Sequence, residues 1–393
     1  MTLVLSLLLV FVQGRSLALI NASGSPYDVG RAVGSATAAN LPQLLNETDL
    51  YTVLLPFCTA NASLCDGLFN ASRSAFPAAY AQLSGVSDGT GIPLRTLLAW
   101  NCADEIHSLR GGFPHDSARH RSACTALLDR RRRGVAVLGH NEDGGHCIAP
   151  PRGAFMLAVA NRTGGAPSYV SMTYPALLPG YAFSGVVASA TPFGFSVNSE
   201  FIVAGQVDVS GSCNAFATHA ILDATSAADA VRRLSALRTA TGFTANVVGL
   251  DAHGAVLAMN VEVGPGTRDA SAQVVRSGDA LYAHFNQYVR LNGSSGVREY
   301  PDESSQVRAH RVSALCDPPA GQADCAVLDV LSDEGSSPFN IWRSYVHPEV
   351  DHCMTLASAR FTFSASTTRG VLDVFTERPR GSAASTPQWS WAL

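Results

Sequence analysis

The residues of this chain best placed to do chemistry are a cysteine and an aspartate on two neighbouring apolar runs. Cys124 opens the run Cys124–Leu128, and the next run leads into Gly139-His-Asn-Glu-Asp143. A thiol reacts as a nucleophile only as the thiolate, and its reference pKa is about 8.5. If Cys124 were the first residue of a chain, its own α-amine, with a pKa of about 8, would accept the thiol proton. The pattern predicts an N-terminal nucleophile that is still joined to a precursor segment.

Release of that amine requires cleavage of the peptide bond between Ala123 and Cys124. Attack of the thiol on the Ala123 carbonyl carbon replaces the amide by a thioester, which water then hydrolyses. The small residues Ser122 and Ala123 leave room for the tetrahedral intermediate. The sequence therefore predicts a self-processing cysteine enzyme that hydrolyses a carbon–nitrogen amide bond, or transfers its acyl group, through a thioester on Cys124. This chemistry requires no cofactor.

Composition excludes several other classes of enzyme and partner. All 27 basic residues are arginine, which removes lysine Schiff bases, pyridoxal phosphate chemistry and the P-loop lysine. A formal net charge of -4 gives no reason to expect nucleic acid as a partner. With 393 residues, of which 47% are hydrophobic and 15% charged, the chain can bury one large core or two modest ones. We expect its partners to be a small-molecule amide or acyl-CoA substrate and its own cleaved N-terminal chain.

The N-terminus predicts a secreted protein, or one of the lysosomal or vacuolar lumen. Residues 2–12 form an apolar run that is too short to span a bilayer, which needs ~20 such residues, and small residues follow it. We expect a signal peptide over residues 1–18 and no transmembrane segment. Asn-x-Ser/Thr sequons, typical of glycoproteins, lie at Asn21, Asn46, Asn61, Asn70, Asn161 and Asn292.

The cysteine count fits the same compartment. There are nine cysteines, and an odd number in a secreted protein indicates one thiol outside the disulfides. Eight structural cysteines and a reactive Cys124 are the simplest partition. Cys58–Cys65 and Cys316–Cys325 are candidate short-loop pairs, and the other pairings stay open.

The order of elements predicts an α+β fold. Residues 19–123 are helical and loop-rich, with helix-like spacing over Asp28–Leu45 and Pro93–Ile106. Short strands then follow one another from Cys124 to Asn198. Later expected elements are helices over Asn214–Ala224, Ser226–Leu237, Ser304–Ala314 and Ala326–Leu331, a hairpin of Thr244–Leu250 with Ala255–Glu262, and a strand pair of Thr355–Phe363 with Gly370–Phe375. We divide the chain into a signal peptide (1–18), a propeptide or small chain (19–123), a catalytic chain (124–376) and a C-terminal tail (377–393).

Five segments occur in one order along the chain: Cys124-Thr-Ala-Leu-Leu, Gly139-His-Asn-Glu-Asp143, Tyr174-Pro-Ala-Leu-Leu-Pro-Gly180, Gly194-Phe-Ser-Val-Asn198 and His284-Phe-Asn-Gln-Tyr288. Together they resemble the acyl-CoA:6-aminopenicillanic acid acyltransferase family, which includes β-alanyl-amine (carcinine) hydrolases. This family is a peptidase C45-like branch of the N-terminal nucleophile (Ntn) hydrolases. The resemblance covers roughly residues 25–376. It implies a four-layer αββα sandwich, in which two antiparallel sheets lie between helices.

The resemblance also implies a catalytic role for each of five residues. Cys124 is implied as the nucleophile and, through its freed amine, as the base, and Asp143 as the residue that holds this amine. Asn198 and Asn286 are implied as amide donors to the oxyanion. Arg308, at the end of Ser304-Ser-Gln-Val-Arg308, is implied as a brace for the site, with Arg311 as its rival.

Two positions depart from the pattern of that family. Ala123 stands before the cysteine, where the family commonly has glycine. His140 stands three residues before the aspartate, where related enzymes often have arginine or glutamine. A substrate carboxylate contact at this position is therefore not expected, and His140 would instead tune the charge of the site.

A metal-dependent hydrolase is the first alternative. The segment His140-Asn-Glu-Asp-Gly-Gly-His-Cys147 holds five potential ligands in eight residues, a set that zinc or a harder metal uses. Its spacing fits no helix-borne His-x-x-x-His pattern, and the Gly-Gly pair favours a flexible turn. We therefore assign no metal.

Two further alternatives belong to other classes. Gly85-Val-Ser-Asp-Gly89 matches the Gly-x-Ser-x-Gly motif of serine hydrolases, but that motif needs an apolar strand before it. Residues 78–83 look helical instead, so we interpret the motif as a turn. The protein would otherwise be a secreted, non-catalytic binding protein of the same fold, and failure to cleave itself would mark it as one.

Overall fold

A computed structural model of the chain describes residues 15–111, 123–187, 191–266, 270–291, 296–316, 325–345, 353–367, 369–379 and 385–393. The apolar run of the expected signal peptide and the sequon at Asn292 lie outside the described residues.

Strands dominate the part of the chain that follows Cys124. In chain order they are β1 Ala18–Gly24, β2 Thr125–Asp129, β3 Val135–Gly145, β4 Phe155–Arg162, β5 Ser168–Thr173, β6 Phe183–Val187, β7 Phe193–Ser199, β8 Phe243–Leu250, β9 Val256–Val263, β10 Ser271–Val274, β11 Tyr282–His284, β12 Cys353–Ser364, β13 Arg369–Phe375 and β14 Trp389–Ala392. Within the described residues they form an eight-stranded sheet, β1-β4-β5-β6-β7-β8-β9-β10, and a six-stranded sheet, β11-β2-β3-β12-β13-β14.

Helices dominate the part of the chain that precedes Cys124. They are α1 Pro26–Thr37, α2 Leu41–Glu47, α3 Leu55–Ala60, α4 Ala62–Ala75, α5 Pro77–Thr90, α6 Leu94–Asn101 and α7 Ala103–Leu109, followed later by α8 Asn214–His219, α9 Ala227–Leu234, α10 Glu303–Cys316 and α11 Val327–Leu331. Two short helices begin at capping serines: the Ser25 side chain accepts from Asp28 N at α1, and Ser226 accepts from Asp229 N at α9.

The two sheets pack face to face, and helices cover their outer faces. Because successive strand residues point to opposite sides, Leu128 of β2 packs between the sheets while Leu127 packs against α10 and α11. The outer face of the eight-stranded sheet packs against α1, α8 and α9. The structure is therefore a mixed α+β fold with two sheets, and the predicted fold class is confirmed at this level.

The segment expected to become the small chain is built into the fold. Its strand β1 lies parallel to β4 at the edge of the eight-stranded sheet, with Leu19 opposite Met156. Its helices pack with Phe216 of α8 in a second apolar core. A disulfide between Cys102 and Cys213 also joins residues 19–123 to the part of the chain after Cys124.

The Gly85–Gly89 motif is helical, so the predicted turn there is wrong. Both glycines lie within α5, which packs against α1. A Cβ atom on Gly85 would lie 2.1 Å from the Tyr27 carbonyl oxygen, and one on Gly89 would lie 2.6 Å from that of Arg31. Glycines spaced by four residues thus let two helix backbones approach closely. The strand–turn–helix geometry of a serine nucleophile is not present at this motif.

The expected tail also differs from the structure. Trp389–Ala392 forms β14, which pairs with β13, and Leu393 is buried between the sheets. The rings of Trp389 and Trp391, two residues apart on the same face, stack with centroids 5.6 Å apart. The alternation of tryptophan with small residues spans only these four positions, which is too short to be recognised as a strand from the sequence.

Three disulfides are present among the described residues: Cys58–Cys65, Cys102–Cys213 and Cys316–Cys325. The first and third confirm the predicted short-loop pairs, and all three are consistent with an oxidising, secretory compartment. Among the described residues no single helix is long and apolar enough to cross a membrane. Two consecutive helical segments, Leu50–Ala60 and Ala62–Ala75, reach that length and apolarity only when taken together, and the chain bends by 101° between them.

Candidate active site

The bond between Ala123 and Cys124 lies in a buried junction at the start of β2. This strand runs inside the six-stranded sheet, between β11 and β3, with Thr125 opposite Asn141. The Ala123 backbone N–H donates to the Asp143 carbonyl oxygen at 3.3 Å. Ala123 is 8% exposed and Cys124 is 2% exposed. The predicted cleavage point is therefore held against the far end of β3 and shielded from bulk water.

The carboxylate that contacts the thiol belongs to Glu142, which the sequence analysis did not assign. The Cys124 Sγ atom lies 3.5 Å from Glu142 Oε2, and His140 Nε2 lies 2.9 Å from the same oxygen. The Tyr174 hydroxyl donates to Glu142 Oε1 at 2.5 Å. Alternation along β3 explains the arrangement, because His140 and Glu142 point to one face and Asp143 to the other. The two-residue period of this strand was the sequence signal for Glu142.

Asp143 is buried on the opposite face of β3, under the segment that follows α11. Its Oδ1 accepts from the Thr355 hydroxyl at 2.7 Å, and its Oδ2 accepts from Arg343 Nη1 at 3.0 Å. Its backbone carbonyl, which accepts from Ala123, is the atom that meets the cleavage junction. The role implied for its side chain, holding a freed Cys124 amine, concerns the cut chain and stays a prediction.

Each carbonyl oxygen of the junction accepts a hydrogen bond from an arginine. Arg343 Nη1 donates to Ala123 O at 3.3 Å, and Arg308 Nη1 donates to Cys124 O at 2.7 Å. Sequence reasoning missed Arg343, because it follows α11 in a segment without a motif. It reaches the junction only through the fold, and its Nη2 also donates to Ser304 Oγ at 2.6 Å.

The structure brings Arg308, and not its rival Arg311, to the site. Arg308 is fully buried and also donates to Thr125 Oγ1 and to Asn286 Oδ1, each at 3.0 Å. Burial lowers its pKa to about 10, and the nearby charge of Arg343 acts in the same direction. It is therefore still cationic at neutral pH. Arg311 forms a two-pronged ion pair with Asp333 instead.

Both predicted oxyanion donors lie at the site, and both are engaged in the uncut chain. Asn198 Nδ2 donates to Cys124 O at 3.1 Å, and Asn198 Oδ1 accepts from Asn246 at 2.9 Å. Asn286 Nδ2 donates to Ser199 O at 3.0 Å. Their donation to a substrate oxyanion stays a prediction.

Burial raises the pKa of the Cys124 thiol well above its ordinary value. The negative charges of Glu142 and then Asp143 act in the same direction, whereas a backbone hydrogen bond from Asp143 and the charge of Arg308 oppose them. The thiol of the uncut chain is therefore protonated at neutral pH. An adjacent base is needed to activate it, and Glu142 is the carboxylate in contact.

A cavity with about 640 Å³ of empty space, its open mouth included, reaches this site. Its walls come from both sides of the predicted cleavage point, with α6 and α7 on one side and residues after Cys124 on the other. The lining residues are Trp100, Asn101, Ala103, Asp104, Glu105, His107, Glu142, Ile148, Tyr174, Leu177, Tyr181, Asn214 and Ala215. Of these residues, Glu142 contacts the Cys124 thiol, so the cavity is separated from the thiol by this one carboxylate.

Two further acidic residues of this cavity have pKa values above their ordinary range. Burial raises the pKa of Glu105 to about 8, with the charge of Asp104 adding to the effect. Burial likewise raises the pKa of Asp104, which accepts a hydrogen bond from the Tyr181 hydroxyl. The carboxyl group of Glu105 is therefore largely protonated at neutral pH and can donate as well as accept a hydrogen bond.

The segment His140–Cys147 does not bring its five potential ligands to one point. His140 and Glu142 are buried on one face of β3, Asp143 is buried on the other, and His146 is exposed on the short helix His146–Ile148. A single metal site formed by all five of these residues, which the sequence offered as an alternative, is therefore not present.

No protein-family model matches this chain. No curated protein matches it significantly. The resemblance to the Ntn hydrolases therefore stays a prediction, and the geometry of the site carries the functional proposal.

Proposed function

We propose that this protein is a self-processing cysteine hydrolase of the Ntn type, which hydrolyses an amide bond or transfers its acyl group through a thioester on Cys124. One observation carries the proposal: a buried thiol, an adjacent carboxylate and an arginine-bound carbonyl meet at the Ala123–Cys124 bond. These are the nucleophile, the base and the oxyanion donor that cleavage of this bond requires.

The self-cleavage step uses residues already in contact. Glu142 accepts the thiol proton, and the Cys124 sulfur bonds to the Ala123 carbonyl carbon. Arg343, which already donates to Ala123 O, stabilises the negative charge on that oxygen. The carbon–nitrogen bond then breaks as Glu142 returns its proton to the departing nitrogen. This step already frees the Cys124 α-amine and leaves Ala123 as a thioester on the sulfur, and water then hydrolyses the thioester to the Ala123 carboxylate and the free thiol.

The fold holds Cys124 in place after this cut. Its carbonyl oxygen accepts from both Arg308 and Asn198, so the new N-terminal residue stays bound when Ala123 departs. The freed amine would lie beside Asp143 and would then act as the base for substrate turnover. The disulfide Cys102–Cys213 would keep the small and large chains together.

The layered architecture supports an Ntn-type αββα sandwich. Two sheets pack face to face with helices outside each of them, and the candidate nucleophile starts a strand inside one sheet. Domain limits follow from the same proposal: residues 19–123 form the small chain, and Cys124 begins the catalytic chain.

Trapping of the acyl-thioester tests the function. The purified protein is incubated with a panel of N-acyl amines, quenched in acid, and its larger chain is weighed by mass spectrometry. We expect an added acyl mass on the peptide that begins at Cys124, and none in a Cys124→Ala variant. An acyl adduct that persists in Cys124→Ala, or a cut protein that turns over amides without any adduct on Cys124, would contradict the proposal.

A further inference from the structure

Three side chains of different chemistry meet at one point beside the candidate nucleophile. Cys124 Sγ, His140 Nε2 and a Glu142 carboxylate oxygen all lie within 4.8 Å of one another. The sulfur is 3.5 Å and the imidazole nitrogen 2.9 Å from Glu142 Oε2. A thiolate, an imidazole and a carboxylate are the three kinds of ligand that proteins use for zinc.

The separations fit the edges of a zinc tetrahedron. With Zn–S about 2.3 Å and Zn–N or Zn–O about 2.0–2.1 Å, neighbouring ligand atoms stand roughly 3.3–3.6 Å apart. The observed sulfur–oxygen distance is already in this range, and the nitrogen–oxygen distance needs an increase of only a few tenths of an ångström. The third separation, between the sulfur and the imidazole nitrogen, is below 4.8 Å and would have to close to the same range.

The surrounding contacts hold Glu142 in place between the other two ligands. All three residues are at most 2% exposed. The Tyr174 hydroxyl binds Glu142 Oε1 and so leaves Oε2 directed at the sulfur and the imidazole. Of the three ligands, Glu142 lines the cavity, so the site lies next to it on the carboxylate side.

We propose that Cys124, His140 and Glu142 bind a single zinc ion that reversibly blocks the nucleophile. Formation of the Zn–S bond displaces the thiol proton to solvent, with no change of oxidation state. The bound sulfur shares its negative charge with the zinc ion and is a weaker nucleophile, and the Glu142 oxygen on the metal can no longer accept the thiol proton. Soft thiolate and imidazole ligands select zinc over magnesium or calcium. The inference goes beyond the proposed function, since zinc binding would exist whether or not the protein turns over an amide.

Cobalt substitution tests the site without any enzymatic assay. Metal-free full-length protein is titrated with Co²⁺ and its absorption is recorded, then Zn²⁺ is added in competition. We expect one equivalent of Co²⁺, visible bands of a four-coordinate ion and a near-ultraviolet thiolate-to-cobalt band. Zinc should remove these bands at one equivalent, and Mg²⁺ should not. A spectrum of six-coordinate cobalt without a thiolate band would overturn the proposal.

Variants assign the ligands. Cys124→Ser should abolish the thiolate band, and His140→Ala should weaken zinc binding at least about tenfold. The control is His253→Ala, an exposed histidine in the β8–β9 hairpin, which should bind zinc like the parent. Circular dichroism confirms that each variant is folded. If His140→Ala does not fold, the thiolate-to-cobalt band of Cys124→Ser is sufficient for the test. Loss of that band supports the proposed site, whereas a band that persists in Cys124→Ser shows that the metal binds elsewhere and contradicts the proposal.

Discussion

Two regions of this molecule bury several ionisable groups, and they differ in what those groups contact. The first is the Cys124 junction, where arginines bind the carbonyls of the Ala123–Cys124 bond and Glu142 contacts the thiol. The second, here called the glutamate cluster, consists of Glu200, Glu262 and Glu299 near β7–β9. Glu200 and Glu262 are as deeply buried as the Cys124 junction, but of these two regions only the junction contains a thiol beside a carbonyl and adjoins the cavity described above.

The glutamate cluster contacts backbone N–H groups and a hydroxyl instead of a thiol. Glu262 accepts from the N–H groups of three successive residues, 289–291, which anchors the chain just after Asn286. Glu200 accepts from the Thr244 hydroxyl at 2.7 Å. Burial raises the pKa of Glu200 well above its ordinary value and that of Glu299 to about 7.

The comparison teaches that a shifted pKa does not by itself identify a reactive site. Buried ion pairs and carboxyl groups with a structural role shift pKa values as the environment of a catalytic site does. The combination of a nucleophile, a bond within its reach and access to a cavity is what separates the Cys124 junction from the glutamate cluster.

The largest expected effect comes from the nucleophile itself. Cys124→Ala should abolish cleavage of the 123–124 bond, because no atom remains to attack the carbonyl. Glu200→Gln should cleave at the parent rate. Cell-free synthesis followed by a time course on reducing gels measures the cleavage of both variants. Cleavage of Cys124→Ala would mean that another protease cuts the chain and that Cys124 is not the nucleophile.

A smaller effect is expected from the carboxylate that contacts the thiol. Glu142→Gln should slow self-cleavage by about 10²–10⁴-fold, the range for loss of a general base. The matched control is Glu262→Gln, an equally buried glutamate of the other region, which should slow cleavage less than about threefold. Equal rates for the two variants would show that contact with the thiol confers no advantage.

The arginine at the scissile carbonyl should contribute next. Arg343→Met should slow cleavage by about 10²–10³-fold through loss of a donor to the oxyanion, and Arg343→Lys should restore part of the rate. Arg311→Met serves as the control, since Arg311 pairs with Asp333 away from the junction. Rates are compared at pH 7 on variants shown to be folded. An Arg343→Met protein that cleaves like Arg311→Met would remove Arg343 from the mechanism.

The smallest expected effect concerns stability and belongs to the glutamate cluster. The pKa of Glu299 is raised to about 7 in the folded chain. The folded state therefore keeps a proton that the unfolded state loses, and the stabilisation present below the unfolded pKa is lost as pH rises through about 7. In the uncut Cys124→Ala background, the free energy of unfolding should fall more steeply between pH 4 and 8 than in its Glu299→Gln derivative. Urea denaturation measures this difference, and parallel pH curves would refute it.

Local patterns predicted much of the fold from the sequence. Short apolar runs bounded by turn residues located β2, β8, β9, β12 and β13 within a few residues, and the helix expected from Ser226 begins at Ala227. Two disulfides were found because each closes a short loop. These features depend on neighbours in the chain, which a sequence shows directly.

Features that depend on distant parts of the chain were missed. The parallel pairing of β1 with β4, the Cys102–Cys213 disulfide and the approach of Arg343 to Ala123 each join residues far apart in sequence. For the site, the Cys124 and Asp143 segments were found together, but the choice between Glu142 and Asp143 as the thiol's neighbour required knowing which face of β3 meets the junction. Arg308 was preferred to Arg311 only through the resemblance.

The N-terminal sequence of the mature protein tests the central claim most directly. Purified, deglycosylated protein is run on denaturing gels with and without reducing agent, and each band is sequenced from its N-terminus. We predict one band without reducing agent, because Cys102–Cys213 joins the two chains. With reducing agent we predict two bands, the larger beginning Cys-Thr-Ala-Leu-Leu. A single uncut chain under reducing conditions, or a larger band that begins elsewhere, would contradict the assignment of Cys124 as an N-terminal nucleophile.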